Sequence, residues 1–121
     1  MEKKKTLVLG ASDNPARYSY MAIDRLRSHG HEVVAVGRKA TVVRDVVVHT
    51  GLEDAQDIDT VTLYLNPDNQ QPYYQSILDL HPRRIIFNPG TENPELAQLA
   101  LAQHIEPVEA CTLVMLATGQ Y

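Results

Sequence analysis

A three-layer α/β/α fold on a parallel sheet is what this sequence predicts, and three observations carry it. Apolar runs of four to six residues alternate with longer segments of helical period, the pattern of successive βα units. The first run, Thr6-Leu7-Val8-Leu9, ends in Gly10 and passes through a short polar turn into a helix signal. At 121 residues the chain can bury one core but is too short for a nucleotide domain plus a substrate domain, so residues 1–121 read as a single domain.

The elements follow in order. After the strand Thr6 to Leu9 and the turn Gly10-Ala11-Ser12-Asp13-Asn14-Pro15, a helix is predicted from Tyr18 to His29. Met21, Ala22, Ile23 and Leu26 form its apolar stripe, and Gly30 stands where a C-terminal cap belongs. The second strand is Glu32 to Val36. The run Val42 to Val48 is rich in β-branched residues but does not alternate cleanly, and reads as a short extra strand or an extended connection. A third strand, Thr60 to Leu65, leads to a helix over Pro72 to Leu80, with Asn69 as its cap and Pro82 closing the exit. The fourth strand is Arg84 to Phe87. Asn93-Pro94-Glu95 then signals a helix start, with Leu96, Leu99, Ala100 and Ala102 as its apolar side. The fifth strand is Ile105 to Val108, and Thr112 to Ala117 packs back on the sheet before Gly119. About five strands in a doubly wound, Rossmann-like sheet of order 3-2-1-4-5 is the resulting expectation.

Composition narrows the function classes. Eleven basic against fifteen acidic residues, a formal charge of −4, offers no global attraction to nucleic acid or to an anionic membrane. The single cysteine, Cys111, excludes an internal disulfide, and no apolar run reaches the length of a membrane span. Met1-Glu2-Lys3-Lys4-Lys5 lacks the apolar segment of a signal peptide, so a cytoplasmic setting is expected. A symmetric homodimer is the oligomer to expect of such a domain, although no residue marks an interface.

In a doubly wound sheet, ligands sit where neighbouring helices leave opposite faces. The loops predicted there are Gly10 to Pro15, the turn after the second strand, and Asn88-Pro89-Gly90-Thr91. Glycine permits close backbone approach, and Ser, Asn and Thr supply hydrogen bonds to an anion. Tyr18 stands where it could line such a pocket. An NAD site would carry G-x-G-x-x-G and an acidic residue after the second strand. Ser12 stands in place of the second glycine, and the second strand ends Val36-Gly37-Arg38-Lys39 with no carboxylate. The basic pair instead suits a ribose phosphate, either the 2′-phosphate of NADP or the 3′-phosphate of coenzyme A.

The segments Gly10 to Tyr20 and Ser28 to Val36 resemble the small stand-alone CoA-binding proteins, which are similar to the CoA-binding domain of the succinyl-CoA synthetase alpha subunit. The resemblance runs over nearly the whole chain, with Gly90 and Glu109-Ala110-Cys111 at matching places. It implies coenzyme A or an acyl-CoA as the bound cofactor. Ser12, Asn14 and Arg17 would then contact phosphate, Arg38 would face the ribose phosphate, and Gly10 would let the backbone approach. Ala11, Pro15, Tyr18, Gly37, Asn88, Pro89 and Gly90 complete the expected binding set. The chain departs from the family pattern at Gly37-Arg38, at Tyr64-Leu65-Asn66-Pro67 and at Phe87-Asn88-Pro89-Gly90.

Catalysis is not expected. No acid, base or nucleophile with an oriented partner can be assembled at the crevice, and most of the five histidines fall at helix ends or strand starts. No metal-ligand spacing is present. Cys111 reads as a small buried hydrophobe rather than a thiol that forms a mixed disulfide with coenzyme A. Two other readings stay open: an NADP-binding enzyme or sensor, supported by Arg38-Lys39, and a protein-interaction module with a vestigial nucleotide loop.

Overall fold

A computed structural model describes residues 2–121. Its centre is a seven-stranded sheet formed by β1 (Thr6–Ala11), β2 (Val33–Gly37), β3 (Thr41–Val43), β4 (Val46–His49), β5 (Thr60–Leu63), β6 (Arg84–Phe87) and β7 (Glu106–Glu109). The helices are α1 (Tyr18–Ser28), α2 (Pro67–Gln70), α3 (Tyr74–Asp79), α4 (Pro94–Ala102) and α5 (Thr112–Ala117), with a 3-10 turn at Gln71–Tyr73 between α2 and α3. The doubly wound α/β fold is as the sequence predicts. Strand number and order are not.

The order is β3-β4-β2-β1-β5-β6-β7, parallel throughout except for the β3–β4 pair. The run Val42 to Val48 is therefore a hairpin, turning at Arg44-Asp45 between the paired residues Val43 and Val46. Its lack of clean alternation has a simple cause. The two-residue turn interrupts the period, so Val43, Val46 and Val48 face the core while Val42 and Val47 face solvent. Both turn residues are tied to α1: Asp45 accepts from Arg27 Nε and Nη2, and Arg44 Nη1 donates to the Asp24 carbonyl and to Ser28 Oγ. Docked there, β4 pairs in parallel with β2 and takes the place expected for the Thr60 strand. The Thr60 strand, β5, lies beside β1 instead.

Both faces of the sheet are covered, which suits the near-continuous apolar strands. Leu7 and Leu9 of β1 face α3 and α4 among Val61, Leu63, Ile85, Phe87, Ile77, Leu96 and Ala100. Val8 faces the other way, into Ile23 and Leu26 of α1 and Leu116 of α5. Within α1 the buried residues are Ser19, Ala22, Ile23 and Leu26, while Met21 is only half-buried. In α4, Leu96 and Ala100 are buried, whereas Leu99 and Ala102 are exposed. Asn93 caps α4 as expected, accepting from the Leu96 N–H at 3.2 Å. The middle helical segment begins earlier than expected: Asn66 rather than Asn69 is the cap, and its side chain accepts from the Asn69 N–H at 2.9 Å. Pro107 sits in β7, an edge strand, where its missing N–H is tolerated.

One histidine at a strand start is part of the core. His31 is fully buried; its Nδ1 accepts from the Lys4 N–H at 2.9 Å, and its Nε2 has no partner among the described residues. Burial, then the charges of Lys3, Lys4, His29 and Arg84, push its pKa below the usual 6.5. The unfolded chain therefore binds more protons around pH 6, so His31 contributes stability that is complete above pH 6.5 and lost as the pH falls through the lowered folded value. Melting temperature should fall between pH 7 and pH 5, and His31→Gln should flatten that slope; an unchanged slope would assign it to another group.

Candidate ligand-binding site

The strand order decides where the crevice opens. Helix α1 follows β1 onto one face, and α2 and α3 follow β5 onto the other, so the split lies between the C-terminal ends of β1 and β5. A cavity of about 680 Å³ lies there. Four segments line it: Gly10 to Asp13 with Arg17 to Ser19, Val36 to Thr41 without Ala40, Tyr64 to Asn66 with Asn69 and Tyr73, and Pro89 to Thr91.

Two close backbone approaches shape its floor. Gly10 has φ +97°, and a Cβ there would stand 2.9 Å from the Tyr64 carbonyl carbon. Only glycine satisfies both conditions. The β1–β2 register slips between Leu9 and Ala11, so that Ala11 pairs with Gly37. A Cβ on Gly37 would lie 2.2 Å from the Ala11 carbonyl oxygen.

The loop after β1 holds its own shape. Ser12 Oγ accepts from the Asn14 N–H at 3.1 Å, Asn14 Oδ1 accepts from the Ala16 N–H at 3.0 Å, and the Asn14 carbonyl accepts from the Arg17 N–H at 3.0 Å. These Ser and Asn turns deliver the chain to Arg17, the N-cap of α1, whose side chain makes no capping bond. With no acidic residue in its first turn, α1 presents its positive end to the cavity uncapped.

Of the residues expected from sequence, Gly10, Ala11, Ser12, Arg17, Tyr18, Gly37, Arg38, Pro89 and Gly90 are brought together around the cavity. Asn14, Pro15 and Asn88 are not among its lining residues. Asn14 and Pro15 face solvent on the outside of the loop. Asn88 is buried and fully engaged: Nδ2 donates to Thr62 Oγ1 and to the Leu63 carbonyl, and Oδ1 accepts from the Thr112 N–H. It is a strut between β6, β5 and the start of α5. Cys111, the N-cap of α5, is half-buried and also outside the lining.

The β5 loop is what sequence reasoning missed, because the expected order kept β5 away from β1. Tyr64, Leu65, Asn66, Asn69 and Tyr73 form the far wall. Buried Gln70 braces it, donating from Nε2 to the carbonyls of Leu65 and Thr91 at 2.8 Å each and accepting from Asn93 Nδ2 at 2.9 Å. Burial raises the Tyr64 phenol to about 12, so it stays protonated at neutral pH. On the near side, Lys39 is paired to Asp13 at 3.0 Å, and Thr41 Oγ1 donates to the same carboxylate. Arg17 and Arg38 are exposed and make no ion pair or side-chain hydrogen bond among the described residues. No cluster of three or more His, Cys, Asp or Glu suited to a metal ion occurs among the described residues, and none of their helices is long and apolar enough to cross a membrane.

The model of the CoA binding domain family matches residues 4–117. The chain belongs to that family. An uncharacterized protein of known crystal structure is 50% identical over 100% of both chains, with a TM-score of 0.96. A hypothetical protein from Pyrococcus horikoshii OT3 matches at 23% identity and TM-score 0.85 over 93% of this chain and 81% of its own. An acetyl-coenzyme A synthetase from Ca. Korarchaeum cryptofilum, in complex with phosphate and ADP, matches at 15% identity and TM-score 0.71. That match covers 88% of this chain and 25% of the synthetase; these last two likenesses show the fold alone. No curated protein matches the chain.

The Gly37 contact makes the cavity floor sensitive to a single methyl group. Gly37→Ala should lower stability by about 1–3 kcal/mol in denaturant unfolding, the usual cost of forcing an atom into packed backbone. A loss below about 0.5 kcal/mol, the scale of a neutral surface change, would show that β1 and β2 separate freely there.

Proposed function

We propose that this domain binds coenzyme A or an acyl-CoA in the cavity between β1 and β5 and holds it without chemistry of its own. The observation that carries this reading is the uncapped N-terminus of α1 opening into a cavity rimmed by two unpaired arginines, Arg17 and Arg38, in a member of the CoA-binding domain family. Free N–H groups at a helix start suit a pyrophosphate. Arg17 stands beside that end, and Ser12 and Ala11 line the approach. Arg38, after β2, suits the ribose phosphate, for which a planar guanidinium offers paired donors. Tyr18, 69% exposed at the first residue of α1, overhangs the entrance. The cavity volume falls in the range of small-molecule sites.

Isothermal titration with coenzyme A, 3′-dephospho-CoA and NADP tests the proposal. Coenzyme A should bind more tightly than its dephospho form by about tenfold or more, the worth of one charge-assisted contact. Arg38→Gln should narrow that difference, while Arg17→Gln should weaken both ligands alike. Absence of heat with every CoA species would sink the proposal, and tighter binding of NADP would establish the dinucleotide reading in its place.

A further inference from the structure

A Rossmann-type site commonly holds a ribose through a carboxylate at the end of the second parallel strand. The turn after β2, Gly37-Arg38-Lys39, has none. The fold supplies one from the loop after β1. Asp13 reaches across to this turn, where Oδ2 accepts from Lys39 Nζ at 3.0 Å and from Thr41 Oγ1 at 2.9 Å. Both bonds fall on one oxygen, so among the described residues Oδ1 has no side-chain partner and keeps its acceptor capacity. Asp13 is also the only acidic side chain lining the cavity among the described residues. Its two donors hold the carboxyl below the usual carboxylate range, so it is anionic at neutral pH.

A lone carboxylate would repel phosphate. Paired with Lys39, it becomes half of a neutral unit that presents an acceptor and a cation side by side. A ribose with one free hydroxyl and a phosphate on the adjacent carbon is the chemical complement of that unit. From this geometry we infer that Asp13 is the ribose-reading residue of the cavity, its Oδ1 accepting the free hydroxyl of a phosphorylated ribose whose phosphate lies toward Lys39 and Arg38. The inference rests on the coenzyme A reading, since that ligand carries a 3′-phosphate beside a free 2′-hydroxyl. It also gives Asp13 a part beyond bracing the first loop against Thr41, because a brace alone is indifferent to the 2′-hydroxyl.

The test is a titration of the full chain with coenzyme A and 2′-deoxy-CoA, for wild type, Asp13→Ala, Asp13→Asn and Thr41→Val. Wild type should lose about tenfold in affinity when the hydroxyl is removed, the worth of a hydrogen bond to a charged group. Asp13→Ala should bind the two ligands equally, and Asp13→Asn, which preserves the shape of the side chain, should narrow the gap if the alanine variant does not fold. Thr41→Val, which weakens the brace but leaves Oδ1 in place, should keep the gap. Equal binding of both ligands by wild type, or an undiminished gap in Asp13→Asn, would overturn the role of Asp13 while leaving the coenzyme A reading intact. No heat from coenzyme A itself would overturn both.

Discussion

Contact of backbone with backbone at the C-terminal end of β1 is the constraint on which the rest of this structure depends. Gly10 lies against the Tyr64 carbonyl on one side, and the Ala11 carbonyl lies against Gly37 on the other. Neither contact leaves room for a Cβ. The three chain segments that leave β1, β2 and β5 therefore start from one tight junction, and the cavity is the space they enclose as they diverge. The slip in register between Leu9 and Ala11 belongs to the same junction, since it brings Ala11 opposite Gly37 and turns the following loop over the sheet edge.

From that junction outward, the walls are held by buried polar side chains that bridge neighbouring loops. Gln70 links the segment after β5 to the segment after β6 through two main-chain carbonyls. Asn88 links β6 to β5 and to the first turn of α5. Each is buried with its hydrogen bonds made, the condition under which a polar side chain strengthens a core rather than weakening it. The two arginines at the rim are arranged differently. Arg17 and Arg38 extend into solvent, where their charge carries no desolvation cost.

The sequence makes the fold class and most element positions legible because these rest on local signals. Period-2 and period-3.6 patterns, Asn93 before Pro94, and Gly30 after the α1 stripe each act within a few residues. The hairpin at Val42 to Val48 was ambiguous because a two-residue turn within a valine run breaks alternation without adding a glycine or proline. Leaving it out of the five-strand order has a distant consequence. Without β4 in that order, the Thr60 strand is assigned to the outer edge beside β2, and the loop carrying Tyr64, Asn66 and Asn69 drops out of the expected site. Asn88 failed for another reason: a polar residue at a strand end looks the same in sequence whether it faces a ligand or ties two strands and a helix together.

By itself the sequence determined that the chain folds as a doubly wound α/β sheet, that a glycine-led polar turn follows the first strand, and that a basic pair follows the second. Those features are written in contiguous residues, where propensity, turn chemistry and charge act locally. Only the tertiary structure decided that β5 lies beside β1, that Lys39 is engaged while Arg38 has no partner among the described residues, and that Asp13 reaches the turn after β2, twenty-six residues from Lys39. These depend on which strand docks against which. That choice is made by the packing of the whole core and by side chains far apart in the chain, such as Arg27 and Asp45, which seat the hairpin against α1.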